Sequence, residues 1–140
     1  MITQAQLIEE ARRWLGVPYV HQGRTQYGVD CIGFILCVRN AISPWWAVNA
    51  RELRTYQRRP KDGLLLGIVE QHCLQLAAPE PGAMILIRWP QTPYPSHVAM
   101  YVEGNLIHAY QRAHCVVETG FRAHWRRYTH SYWRLPGVQA

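Results

Sequence analysis

Cys31 is the residue whose type and position most favour nucleophilic chemistry. It directly follows Asp30, a good helix N-cap, and so lies in the first turn of a predicted helix over residues 31–40. The free N–H groups and the dipole at a helix start favour an anion, so we expect them to stabilise a thiolate at Cys31 relative to that of a core cysteine. The alternative is a small, buried core cysteine with no chemical role.

Two histidines could supply the base that such a thiol needs. His97 and His108 flank Glu103-Gly104, a pair that favours a two-residue hairpin turn. If Val102 pairs with Asn105, both histidines project from one face of the hairpin as diagonal neighbours. One can then accept the thiol proton while the other fixes its orientation. The apolar residues of the two strands fill the opposite face: Val98, Met100, Val102 and Ile107.

The elements that must position these residues are helices followed by strands, which is typical of an α+β fold. Thr3 and Gln6 form a capping-box pattern that starts a helix over residues 4–15. The helix over residues 31–40 follows, and Pro44 lies beyond its end. Further helical patterns are residues 50–59, a segment from residue 62 that includes Leu76, and residues 121–127. Strand patterns cover residues 83–89, 97–103, 105–110, 115–119 and 131–135.

These patterns predict one domain over residues 1–140, with N-terminal helices packed on an antiparallel sheet of about five strands. Trp89 lies in a predicted loop, where an indole either packs into the core, the more common case, or contacts a ligand.

Three segments together resemble the NlpC-type cell-wall peptidases, which are papain-like cysteine peptidases. The first segment runs from Gly16-Val17-Pro18-Tyr19 through Gly23 to Gly28-Val29-Asp30-Cys31-Ile32-Gly33-Phe34. The second is Pro81-Gly82 with the apolar strand that follows, and the third comprises Ser96-His97-Val98-Ala99-Met100-Tyr101 and Leu106-Ile107-His108-Ala109. The order and approximate spacing of these segments match the family.

The resemblance implies a role for each matching residue. Cys31 is the implied nucleophile, His97 the general base and acid, and His108 the residue that orients His97. Tyr19 matches a family tyrosine near the site that helps to bind the oxyanion. The implied substrate is peptidoglycan, cut at the γ-D-glutamyl–diamino acid bond, with an amidase cut at the muramoyl–alanine link as second choice. The sequence departs from the family at Ile32, usually serine, and at Ala83, where an acidic residue is expected. Neither departure removes a catalytic atom, and both concern the substrate subsites.

The stretch His21-Gln22-Gly23-Arg24 resembles the small stand-alone versions encoded by tailed phages and phage-derived particles. That likeness implies a virion tail or phage-like particle as the location, with tail-tip or baseplate proteins as partners. The first ten residues show no secretory signal, which agrees with delivery by a particle, and a bacterial cytoplasmic or effector enzyme is the alternative. A non-catalytic docking component of a tail tip with a silent site is the competing function.

Charge and composition restrict the other functions. The chain carries 15 basic and 9 acidic residues, a net charge of +6, which favours an anionic partner such as peptidoglycan. Helical arginine stripes at Arg51, Arg54 and Arg58 and at Arg122, Arg126 and Arg127 are usually solvated faces. Nucleic acid is disfavoured because no known binding module is present, and no apolar run is long enough to span a membrane. No metal or cofactor is expected, since CxxC and HExxH motifs are missing.

Overall fold

The protein folds as helices packed on an antiparallel sheet, and the structure, a computed structural model, describes residues 1–43 and 63–140. The helices in these residues are α1 (Gln4–Arg13), α2 (Cys31–Ile42), α3 (Leu64–His72) and α4 (Ala123–Arg127). The strands are β1 (Arg24–Thr25), β2 (Gly28–Val29), β3 (Leu74–Leu76), β4 (Met84–Ile87), β5 (His97–Val102), β6 (Asn105–Tyr110), β7 (Cys115–Gly120) and β8 (Thr129–Arg134). The predicted helix at residues 50–59 and the arginine stripe of Arg51, Arg54 and Arg58 lie outside the described residues.

The main sheet has six antiparallel strands in the order β3-β8-β4-β5-β6-β7. This arrangement confirms the predicted α+β class. The sheet has one strand more than expected because helix α3 ends at His72, so the prediction that its helix includes Leu76 is wrong. Cys73 is already extended, and β3 pairs with β8, which satisfies backbone groups that a longer helix would have bonded internally.

Local sequence signals set the starts of the first two helices. The Thr3 side chain accepts a hydrogen bond from the Gln6 amide, and the Gln6 side chain bonds back to the Thr3 amide, so the predicted capping box is confirmed. The Asp30 carboxylate caps α2 through the Gly33 amide at 2.8 Å, also as predicted. Helix α1 ends two residues earlier than expected and α2 two residues later, which are ordinary end differences.

The sheet buries both faces, each with its own apolar cluster. Helices α1 and α2 cover one face, where the core includes Val98, Met100, Val102 and Ile107 as predicted. The second face packs Ile85, Ile87, Ala99 and Leu106 against Phe121 and Trp125, beside α4. Because side chains alternate along a strand, this second face is also the one from which His97 and His108 project.

None of the helices in residues 1–43 and 63–140 is both long and apolar enough to cross a bilayer.

Candidate active site

The hairpin of β5 and β6 brings the two histidines together. Val102 pairs with Asn105 across a two-residue turn, as predicted, and both turn residues have positive φ, 35° at Glu103 and 86° at Gly104. That backbone geometry matches the twist of the flanking strands, and glycine adopts it without strain. The turn therefore fixes the register that puts both histidines on one face.

The histidine rings form a hydrogen-bonded chain that ends on strand β7. His97 Nε2 lies 2.7 Å from His108 Nδ1, and His108 Nε2 lies 3.0 Å from Thr119 Oγ1. Trp125 packs edge-on against the His108 ring, with a centroid distance of 4.8 Å. Both histidines are buried, so the chain is shielded from solvent. Sequence reasoning did not identify Thr119 as part of this chain.

The other half of the site is the start of α2, which a compact loop holds in place. The buried Asp30 carboxylate accepts hydrogen bonds from the Gly33 and Gln22 amides and pairs with Arg24. A Cβ atom at Gly33 would overlap the Gly23 carbonyl oxygen, so the loop approaches the helix more closely than any other residue at position 33 would allow. This packing fixes Cys31 at the helix terminus.

Cys31 and His97 line the same cavity, which has a volume of about 540 Å³ and also contacts Tyr19. A backbone hydrogen bond from Val98, the residue after His97, acts on the Cys31 thiol, so the sulfur lies against the start of β5. His108 is behind His97 rather than on the cavity wall. The structure thus brings together the thiol, the two imidazoles and the tyrosine that the sequence singled out.

Burial dominates the electrostatics of the thiol. Burial and, to a smaller extent, the Asp30 carboxylate raise the pKa of Cys31 to about 12, and backbone hydrogen bonds from Val98, Ile32 and Cys31 itself offset this rise only in part. The backbone N–H groups of Cys31 and Ile32 at the start of α2 lower this pKa, which is the direction expected of a helix terminus. Desolvation exceeds the contribution of the helix terminus.

The imidazoles are neutral for the same reason. Burial lowers the pKa of His97 to about 4. Burial, together with the neighbouring His97, lowers the pKa of His108 to about 2. At neutral pH these groups are consequently a thiol and two uncharged rings.

An aromatic wall completes the cavity. Trp89 stacks on His97, with ring centroids 6.3 Å apart and an interplanar angle of 24°, and it also contacts Tyr128 edge-on. Tyr110 and His124 line the cavity as well. Trp89 is half-buried and packs against the apolar cluster that contains Trp125, which is the more common of the two alternatives, and it also lines the cavity. Contact of this indole with a ligand stays a prediction. Ile32 and Ala83, the two departures from the family pattern, are buried in or beside the sheet core and do not line this cavity.

A family model described as the NlpC/P60 family matches residues 16–134. The chain belongs to the NlpC/P60 family. The sequence resemblance is thereby confirmed, and with it the membership of a family of cysteine peptidases. No curated protein sequence matches the chain significantly.

Solved NlpC/P60 structures share the fold at low sequence identity. An NlpC/P60 family protein from Bacillus cereus ATCC 10987 superposes with a TM-score of 0.67 at 20% identity, and the match covers 94% of this chain and 40% of that one. The NlpC/P60 domain of the peptidoglycan hydrolase SagA gives a TM-score of 0.64 at 19% identity, and the match covers 94% of this chain and 98% of the SagA domain. The peptidoglycan hydrolase RipB from Mycobacterium tuberculosis gives a TM-score of 0.58 at 18% identity, and the match covers 94% of this chain and 63% of RipB. The chain therefore spans well under half of the Bacillus protein but nearly all of the SagA domain.

Proposed function

We propose that this chain hydrolyses the γ-D-glutamyl–diamino acid bond of peptidoglycan stem peptides, with Cys31 as the nucleophile and His97 as the base. Membership of the NlpC/P60 family supports the reaction class. The observation that carries the proposal is the common cavity of Cys31, His97 and Tyr19, together with the 2.7 Å bond that holds His97 to His108.

The hydrogen-bonded chain decides which nitrogen takes the thiol proton. Nε2 of His97 is engaged by His108, which leaves Nδ1 of His97 for Cys31. For Nδ1 to accept a proton, the His97 hydrogen must lie on Nε2 and be donated to Nδ1 of His108. His108 then carries its own hydrogen on Nε2 and donates it to the Thr119 hydroxyl oxygen. His108 thus sets the tautomer and orientation of His97.

The reaction follows from that arrangement. The Cys31 sulfur attacks the stem-peptide carbonyl carbon while its proton passes to His97, and the carbonyl π electrons move to oxygen. The Tyr19 hydroxyl and the Cys31 backbone N–H stabilise this oxyanion. When the C–N bond breaks, His97 gives the proton to the leaving amine, and a thioester remains. Water then attacks the thioester, with His97 again as base, and releases the free acid and the thiol.

The neutral resting state agrees with this sequence of steps. Because burial disfavours both the thiolate and the imidazolium, proton transfer is coupled to attack rather than completed before it. A substrate that fills the cavity excludes water, which strengthens the interaction between the developing oxyanion and its donors.

We further propose that the enzyme acts at the tail of a virion or of a phage-like particle. The support is the sequence resemblance around His21-Gln22-Gly23-Arg24. Mass spectrometry of gradient-purified particles from the source strain should detect the chain with tail proteins, whereas its confinement to the soluble cell fraction would contradict this location.

The catalytic proposal is tested on purified sacculi with the wild type, Cys31→Ala and Cys115→Ala. Cys115 is outside the cavity, so its variant controls for the loss of a cysteine. We expect the wild type and Cys115→Ala to clear the sacculi and Cys31→Ala to leave them intact. Mass spectrometry of the released muropeptides should show new D-glutamyl carboxyl ends. Equal behaviour of all three proteins would contradict the hydrolase and support the docking component, and release of intact stem peptides would instead indicate the amidase cut.

A further inference from the structure

A second cavity adjoins the one that holds the thiol. It has a volume of about 230 Å³ and is lined by Arg88, Arg127 and Thr129, together with Pro90 and Tyr128. Pro90 and Tyr128 line the first cavity as well. We call this second cavity the arginine pocket. Because the two cavities share these residues, they are neighbours on the surface of the protein.

Both guanidinium groups of the arginine pocket are held by neighbours that leave their charge available. Arg88 Nη1 donates a hydrogen bond to the Thr92 carbonyl oxygen at 3.1 Å. The Arg127 guanidinium lies 5.8 Å from the centre of the Tyr128 ring. A carbonyl and an aromatic face orient an arginine without neutralising it.

The arginine pocket is positive and has no internal counter-charge among the described residues. The arginines that form ion pairs in residues 1–43 and 63–140 are Arg12, Arg13, Arg24 and Arg134. Neither Arg88 nor Arg127 is in that group, and no Asp or Glu of the described chain lines either cavity. Arg112, on the wall of the first cavity, adds a further positive charge. Guanidinium groups without a carboxylate partner in a preformed recess favour an anionic ligand with planar geometry.

We propose that the arginine pocket binds a free carboxylate of the substrate peptide and thereby selects acidic stem peptides over amidated ones. This inference rests on the proposed hydrolase function. A γ-linked glutamyl residue keeps its α-carboxyl group free, and the adjoining diamino acid offers a second carboxylate. Two arginines can engage one such group through bidentate, charge-assisted hydrogen bonds.

Binding to the inactive Cys31→Ala protein tests the inference separately from catalysis. Calorimetry would use three synthetic stem peptides that differ only in their carboxyl groups: both free, the glutamyl α-carboxyl amidated, or the diamino acid carboxyl amidated. We expect one amidation to weaken binding about tenfold, the loss expected for a charge-assisted hydrogen bond. The amide that weakens binding identifies the carboxylate that enters the pocket.

Two charge-matched sets of variants establish whether the arginine pocket is responsible. In the Cys31→Ala background, Arg88→Gln combined with Arg127→Gln should bind all three peptides nearly equally. Arg12→Gln combined with Arg13→Gln removes two positive charges from exposed positions on α1, outside both cavities, and should retain the preference. In the active protein, Arg88→Gln combined with Arg127→Gln should raise KM for the acidic peptide and leave kcat nearly unchanged. The reason is that the arginine pocket contacts the substrate away from the bond that reacts.

The possible failures are distinguishable. Equal binding of the three peptides to the Cys31→Ala protein, or a preference that survives loss of both arginines, would overturn the arginine pocket even if the wild type clears sacculi. Retained preference in a protein whose wild type leaves sacculi intact would overturn the hydrolase and leave the arginine pocket standing.

Discussion

Mild acid should destabilise this protein through its two buried histidines, His97 and His108. Burial lowers the pKa of His97 from 6.5 to about 4 and that of His108 to about 2, so the folded protein takes up fewer protons than the unfolded chain as the pH falls below 6.5. When the pH falls from 7.5 to 5, each histidine therefore lowers the free energy of unfolding by about 2 kcal/mol, and the pair lowers it by about 4 kcal/mol. That is a large share of the ~5–15 kcal/mol typical of a domain.

The chosen pH range isolates the histidines from the carboxylates. Glu80 and Glu118 have pKa values lowered by their hydrogen bonds to Arg134 and Asn105, so their contribution is present above about pH 4.5 and is lost only below it. Any stability lost between pH 7.5 and pH 5 consequently reports on groups with ordinary pKa values near 6.5, which means histidines.

Urea unfolding at half-unit pH intervals measures the effect. The wild-type free energy of unfolding should fall by roughly 2.7 kcal/mol per pH unit near pH 5.5, twice the slope for one proton. His108→Gln, which keeps a neutral hydrogen-bonding side chain, should halve that slope whatever its stability at pH 7.5. His114→Asn changes an exposed histidine in a left-handed turn and should retain the wild-type slope. A wild-type curve that is flat between pH 7.5 and pH 5 would refute buried, neutral histidines.

Three further predictions concern the thiol, the histidine chain and the loop before α2. Alkylation of Cys31 by iodoacetamide should still accelerate between pH 7 and pH 9, because burial raises the pKa of this thiol to about 12; a plateau near neutral pH would indicate a preformed ion pair instead. Thr119→Val removes the oxygen that fixes the His108 tautomer, so it should lower kcat about five- to tenfold with KM unchanged. Thr119→Ser keeps the hydroxyl and should retain activity. An equal loss of kcat in the two variants would show that the methyl group of Thr119 matters rather than its hydroxyl. Gly33→Ala should lower the free energy of unfolding by at least ~2 kcal/mol, because the new Cβ would overlap the Gly23 carbonyl oxygen. The control Gly67→Ala, in an open part of α3, should raise it by about 0.5–1 kcal/mol. Thermal denaturation measures both variants, and an unchanged stability of Gly33→Ala would contradict the close approach of the loop to the helix.

The parts of the site that sequence reasoning predicted are those that short-range rules determine. An N-cap depends on a few consecutive residues, so Asp30 was enough to put Cys31 at a helix start. A two-residue turn fixes hairpin register, so Glu103-Gly104 was enough to bring His97 beside His108. Both inferences needed only local backbone geometry.

The parts that were missed depend on contacts between distant segments. Thr119 reaches His108 through the pairing of β6 with β7, whose register is set by a 3-10 turn and a left-handed His114 rather than by a recognisable two-residue turn. The raised pKa of Cys31 arises from burial by the whole fold, which a helix-end rule does not include. Strand β3 follows α3 after Cys73 alone, and its pairing with β8 overrides the helical pattern.

The most direct test of the account is to find which of the four cysteines an electrophilic substrate analogue captures. A stem peptide that ends in a chloromethyl ketone at the glutamyl γ-carbon should alkylate the wild type once, and peptide mapping should assign the adduct to Cys31. His97→Gln should slow the labelling strongly, whereas His130→Gln, on the exposed side of β8, should not. An adduct on Cys37, Cys73 or Cys115, or labelling of Cys31 that is indifferent to His97, would contradict the proposed pairing of thiol and imidazole.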